Sequence, residues 1–113
     1  MDTAAKIELT DALIAYMNCY FIRTLTLDYD ITNIDFYATI TKEVNNAETI
    51  VADFMIEKDL NAKTITLTLT DSQINTLGIG SYKFYIKQVS LIPYPLVAGK
   101  LKIVKFPNPR PQQ

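Results

Sequence analysis

Polar and apolar residues alternate with a period of two along much of the chain, most regularly in residues 64–70, TITLTLT. Successive side chains of a strand point to opposite faces, so this stretch predicts a strand with one aliphatic, buried face and one threonine face. Residues 82–86 repeat the pattern, with Tyr82, Phe84 and Ile86 on one side. These two stretches predict strands that each contribute one face to a core.

Further segments show the same pattern less regularly. Residues 13–27 predict a strand with a bulge near Asn18, although a short helix over residues 12–17 is an alternative. In residues 50–57, one buried face is expected to hold Ile50, Ala52, Phe54 and Ile56. Residues 92–95, with two prolines, predict a loop. The seven predicted strands are residues 6–9, 13–27, 34–41, 50–57, 64–70, 82–86 and 96–106.

Residues 71–77 interrupt the alternation and predict one helical turn, capped by Thr70 or Asp71. Strands without β-α-β alternation indicate an antiparallel two-sheet sandwich. In immunoglobulin-like sandwiches, a tyrosine near the start of the penultimate strand bonds back to the preceding loop, two residues before a core position. The spacing of Gly80, Tyr82 and Phe84 fits such a corner, although Tyr82 could also be a plain core residue. We therefore predict an all-β, immunoglobulin-like sandwich of about seven strands with one short helical turn.

The chain has 113 residues, the size of a single domain. We assign residues 1–106 to the domain and residues 107–113, in which alternate positions are proline, to an extended tail. A net charge of −1 provides no field to attract nucleic acid or an acidic membrane. Neither a signal peptide nor a bilayer-spanning stretch is evident. We expect no nucleic-acid and no membrane partner.

Catalytic chemistry finds little support in the composition. The absence of histidine excludes a histidine base or metal ligand. Cys19, the only cysteine, lies in an apolar run and is expected to be buried and inert. Asp28, Asp30 and Asp35 lack the glycine and final glutamate of an EF-hand. We therefore expect no enzymatic activity, no metal or other cofactor, and no small-molecule substrate.

Tyrosine side chains are the candidates for contact with other proteins. Tyr29, Tyr37, Tyr85 and Tyr94 are expected at the surface of a chain in which only 20% of residues are charged. The candidate interface comprises Tyr37, Tyr85, Tyr94, Pro107, Pro109 and Pro111.

The order of these motifs resembles a known family. An acidic DYDIT turn is followed by a threonine-rich and leucine-rich strand, a T-x-x-Q-x-x-x-L turn, G-x-Y, and a last strand that opens on an apolar residue before x-x-G. Over residues 22–106 the chain is similar to the small immunoglobulin-like domains of tailed-phage virion proteins, such as the N-terminal domain of baseplate upper proteins. The matching residues are Thr70, Gln73, Leu77, Gly80, Tyr82, Leu96 and Gly99.

The resemblance implies a structural virion protein, assembled in the host cytoplasm, whose partners are other virion proteins and copies of itself. The resemblance does not decide between a tail protein, a baseplate protein and a capsid-associated joining or decoration protein. A second interpretation is an immunoglobulin-like binding module that recognises a cell-surface glycan or protein.

The proline-rich tail generates the first prediction. Alternate prolines pre-set an extended path, which lowers the entropy lost when such a segment docks on a partner. Deleting residues 107–113 should leave the urea midpoint of the isolated domain unchanged but reduce the amount of the chain in purified particles. Normal incorporation of the truncated chain would exclude the tail as an anchor.

Overall fold

The computed structural model describes residues 7–8 and 12–106, which form two packed β-sheets and one short helix. The elements in chain order are β1 (Ile7–Glu8), β2 (Leu13–Tyr16), β3 (Phe21–Thr26), β4 (Asp35–Val44), β5 (Ala47–Asp53), β6 (Met55–Asp59), β7 (Thr64–Leu69), α1 (Asp71–Leu77), β8 (Gly80–Val89) and β9 (Pro93–Val104).

The larger sheet has the strand order β1-β9-β8-β4-β5, and the smaller sheet has the order β3-β7-β6. Both β1 and β2 run parallel to successive parts of β9, so the nine strands of the described residues occupy eight positions. The smaller sheet follows the B-E-D order of an immunoglobulin-like sandwich, and β9-β8-β4-β5 follows its G-F-C order with one added strand. The predicted fold class is confirmed, with more strands than the seven expected.

The core lies between the inner faces of the two sheets. The ring of Phe54 connects them, because its centroid lies 5.9 Å from that of Phe21 in the smaller sheet and 5.8 Å from that of Phe84 in the larger one. The aliphatic residues of β7 are fully buried, whereas the threonines between them are partly exposed. The faces predicted for this strand are therefore correct.

The prediction of one strand over residues 50–57 was wrong. The chain leaves the larger sheet after Asp53 and enters the smaller sheet at Met55. A register shift where Ile40 and Thr41 of β4 pair with β5 turns Ile50 outward, and this side chain is 65% exposed. Alternation alone does not reveal a change of sheet, because the pattern continues across it.

The prediction of one bulged strand over residues 13–27 was also wrong. β2 belongs to the larger sheet and β3 to the smaller one, with a turn between them. Asn18 lies in this turn with a φ of 66°, and its amide and side chain form two hydrogen bonds of 3.0 Å with the side chain of Asn75 in α1. Asn18 thus marks a change of sheet, and Cys19 beside it is partly exposed.

The helical turn has the predicted position and cap. The Thr70 hydroxyl accepts a hydrogen bond from the Gln73 amide, and the Gln73 side chain accepts one from the Thr70 amide, which forms a capping box. Gly78 ends the helix with a φ of 86°, a conformation that other residues rarely adopt. The sequence thus determines both ends of α1 locally.

The prediction of a loop over residues 92–95 was wrong for residues 93–95, because β9 begins at Pro93 and the turn spans residues 90–92. Pro93 and Pro95 lie in β9, opposite Val89 and Lys87 of β8. Since β1 first pairs with β9 at Val97, this end of β9 has β8 as its only partner among the described residues. Proline is tolerated there because an edge position needs no second set of backbone hydrogen bonds.

The buried face of β7 leads to the second prediction. Leu67 is 0% exposed, whereas Thr66 is partly exposed and its hydroxyl lies 3.1 Å from that of Thr24. Leu67→Ala should lower the free energy of unfolding by about 2–5 kcal/mol, and Thr66→Ala by about 1 kcal/mol or less. Equal shifts of the two urea midpoints would contradict the assigned faces.

Candidate functional site

The outward side chains of β9, β8, β4 and β5 form one continuous surface, called here the outer face. In β8, Lys83, Tyr85 and Lys87 are exposed, and the residues between them are buried against the smaller sheet. The backbone register places Lys83 opposite Lys100 on one side and Thr41 on the other. Thr41 pairs in turn with Ile50 of β5, so residues from four strands meet on this surface.

Two of the predicted interface tyrosines come together on the outer face. Tyr37 lies opposite Lys87 in the β4–β8 register, and Tyr85 lies opposite Thr39, so the tyrosines are diagonal neighbours on adjacent strands. Tyr37 is 52% exposed and Tyr85 is 37% exposed. The Lys87 ammonium lies 5.8 Å from the centre of the Tyr37 ring, within cation–π distance. This pair supplies an aromatic centre to the face.

The Tyr85 hydroxyl connects two strands that are not neighbours. It donates a 2.6 Å hydrogen bond to the Glu48 carboxylate in β5, which also lies 3.6 Å from the Lys83 ammonium. The bond to this carboxylate raises the pKa of Tyr85. Because β4 lies between β8 and β5, the Tyr85 side chain extends across β4. This Tyr85–Glu48 hydrogen bond, called the link below, keeps the tyrosine side chain against the surface of the sheet.

A groove of about 510 Å³ opens beside this link, lined by residues that include Thr41, Glu48, Ser81, Lys83 and Lys100. Thr41 is only 6% exposed, and its hydroxyl has no hydrogen-bond partner among the described residues. Buried hydroxyls usually have a partner. Charged and hydroxyl groups therefore converge here around one unsatisfied polar atom.

The other predicted interface residues lie elsewhere. Tyr94 is opposite Gln88, whose side chain is buried and accepts a hydrogen bond from the Tyr29 hydroxyl. Opposed residues share a face, so Tyr94 lies on the opposite side of the sheet from Tyr37. Tyr29 is half-buried, contrary to the expectation of a surface position. Pro107, Pro109 and Pro111 lie outside the described residues.

A second exposed feature is the hairpin tip, Ser90–Ile92, between β8 and β9. Leu91 is 96% exposed and Ile92 is 51% exposed, and the rigid Pro93 follows directly. The sequence reasoning missed this tip. The available signal was the apolar pair Leu91 and Ile92 at the start of the predicted loop, where polar residues usually face water.

The predicted corner lies at the start of β8, where Tyr82 also lines the groove. The Tyr82 hydroxyl lies 2.5 Å from the Leu77 carbonyl oxygen and 2.8 Å from that of Gly78, so it bonds back to the preceding loop as the spacing indicated. Phe84 is fully buried. At Gly80 an added Cβ would meet its nearest atoms at 3.7 Å, an ordinary contact. Gly78, with its positive φ, is the glycine that this corner requires.

The acidic turn before β4 has a local role. The Asp30 carboxylate accepts hydrogen bonds from the Thr32 amide and hydroxyl at 3.0 and 2.6 Å, which lowers the pKa of Asp30. Within residues 7–8 and 12–106, no three acidic, histidine or cysteine side chains group closely enough to hold a metal ion. Nor is the described helix long and apolar enough to cross a membrane.

Comparisons with known proteins give little beyond the fold. No protein-family model and no curated protein matches the sequence. Among solved structures, the chain is similar to one described as parallel homodimers of the extracellular domains of the voltage-gated sodium channel beta4 subunit, with a role in cell-cell adhesion. The TM-score is 0.44 and the sequence identity 11%, over 94% of this chain and 98% of that one.

The corner leads to the third prediction. Tyr82→Phe keeps the buried ring but removes the hydroxyl, so the free energy of unfolding should fall by about 0.5–1.5 kcal/mol. Tyr85→Phe, which removes an exposed hydroxyl bond, is the control and should have a smaller effect. An unchanged free energy of unfolding for Tyr82→Phe would show that Tyr82 stabilises the fold only as a buried core residue.

The same variant should alter the alkaline limit of stability. Burial raises the pKa of Tyr82 above its ordinary value of 10.0. The folded state then retains the Tyr82 proton at a pH where the unfolded state loses it. The stability that the protonated hydroxyl contributes is therefore complete below about pH 10, and it is lost as the pH rises through the pKa of the folded state. Tyr82→Phe should therefore lose stability less steeply above that pH.

Proposed function

We propose that this chain is a structural component of a bacteriophage virion that acts through protein–protein contacts. Support comes from the ordered motifs over residues 22–106, which resemble those of small immunoglobulin-like domains in tailed-phage virion proteins, similar to the N-terminal domain of baseplate upper proteins. The chain would assemble in the host cytoplasm, as a tail, baseplate or capsid-associated joining or decoration protein.

The observation that carries this proposal is the hairpin tip. A leucine that is 96% exposed adds nothing to the packing of its own domain. Apolar side chains that project from a rigid element are typical of anchors that fill a pocket on a partner. Here β8 and β9 support the tip on both sides, and Pro93 restricts its backbone. Docking would therefore require little ordering of the tip.

The groove favours the alternative function, an immunoglobulin-like module that binds a cell-surface glycan or protein. Sugar sites combine an aromatic platform with several hydrogen-bonding side chains. The outer face offers Tyr85 beside Thr41, Ser81 and Glu48. A titration of the purified domain with glycans, monitored by NMR, distinguishes the two functions, since a structural virion protein predicts no specific shifts around the groove.

The hairpin tip provides the fifth prediction. Leu91→Ser should leave the urea midpoint unchanged, because the side chain is solvated in the isolated domain, but should reduce the amount of the chain found in purified particles by mass spectrometry. The matched control is Ile79→Ser, which alters a side chain that is 60% exposed at the opposite end of β8. This control should be incorporated normally.

Two outcomes would contradict the proposal. Absence of the wild-type chain from purified particles would exclude a structural virion role. Equal incorporation of the Leu91 variant, the Ile79 variant and the wild-type chain would exclude the hairpin tip as the docking element.

A further inference from the structure

The charges on the outer face are separated by sign. All the exposed lysines of this face lie on β8 and β9, and all its carboxylates lie on β4 and β5. The lysines are Lys83, Lys87, Lys100 and Lys102, and the carboxylates are Asp35, Glu43, Glu48 and Asp53. One half of the face is therefore cationic, and the adjacent half is anionic.

We infer that the outer face binds the same face of a second copy of this chain, an inference that rests on the proposed role in protein–protein contacts. A twofold axis parallel to the strands, between β8 and β4, would place β8 and β9 of each copy over β4 and β5 of the other. Each cationic half then meets an anionic half, so the surface is complementary to itself. A twofold axis perpendicular to the strands would instead place the cationic half of one copy over the cationic half of the other.

The centre and the size of the face suit this partner. Tyr37 and Tyr85 lie on the two strands that flank the axis, where an interface is most fully dehydrated and aromatic side chains contribute most. With strand spacings of about 4.8 Å and a rise of about 3.3 Å per residue, four strands present roughly 600 Å². A stable complex buries about 800 Å² per partner, which is of the same order.

The Tyr85–Glu48–Lys83 link prepares the face for such contact. It joins the anionic and cationic halves within one copy and fixes the aromatic ring across β4. Part of the rotamer entropy of these side chains is therefore already lost in the free domain. The remaining lysines and carboxylates are available for the partner's complementary half.

Charge reversal tests this inference while leaving the link intact. One variant carries Lys87→Glu and Lys100→Glu, and the other carries Glu43→Lys and Asp53→Lys. In sedimentation equilibrium the wild-type chain should dimerise. Each variant should dimerise about a hundredfold more weakly, because two reversals leave the altered half without net charge and remove its attraction to the partner's complementary half. An equimolar mixture of the two variants should form a 1:1 heterodimer.

Two controls separate this effect from loss of folding. Both double variants should keep the urea midpoint of the wild-type chain, since the four altered side chains are exposed. Glu57→Lys, which reverses a charge on the smaller sheet, should dimerise like the wild type. Wild-type dimers should also weaken as salt is added.

A wild-type chain that stays monomeric at millimolar concentration would overturn the inference, and so would a monomeric mixture of the two variants. If the chain is monomeric and its outer face responds to an added glycan, that face is a glycan-binding site and not an interface between copies. Incorporation into particles is measured separately, so a monomeric chain found in particles would overturn self-association alone and leave the virion role standing.

Discussion

The structure depends on the passage of the chain from one sheet to the other at Phe54. β5 ends at Asp53 in the larger sheet and β6 begins at Met55 in the smaller one, so a single residue crosses the core. The Phe54 amide donates to the Ala38 carbonyl oxygen at 3.1 Å, and the ring packs between Phe21 and Phe84. With one residue as the connection, the two sheets cannot separate without exposing this aromatic cluster, whose burial stabilises the folded state.

Because the core is filled from the inner faces, the outward side chains are free to serve other purposes. β8 illustrates this division, since Tyr82, Phe84 and Ile86 hold the fold while Lys83, Tyr85 and Lys87 form the outer face. The hairpin tip extends the same two strands beyond the core. Contact surfaces on this domain can therefore change with little effect on its stability, which suits the docking role that we propose.

Local features of the fold could be read from the sequence, whereas features that join distant strands could not. The faces of residues 64–70, the capping box at Thr70 and the Tyr82 corner each depend on residues close in sequence. The sheet change at Phe54 was missed because the apolar residues continue to alternate through Ala52, Phe54 and Ile56, and the outward position of Ile50 was missed because it depends on a register shift. The separation of charge required the pairing of β4 with both β5 and β8, which no linear pattern contains. Tyr37 and Tyr85 were identified as exposed, but their proximity was not.

Zero-length cross-linking of a mixture of ¹⁴N-labelled and ¹⁵N-labelled chains tests most directly whether the outer face is a contact surface between copies. Carbodiimide couples a lysine amine to a carboxylate only when the two groups can come into direct contact, and mixed isotopes identify links between copies. The arrangement described here predicts mixed-isotope links from lysines of β8 and β9 to carboxylates of β4 and β5. Links from the outer-face lysines that are confined to one isotope, or mixed links that involve only the smaller sheet, would contradict it.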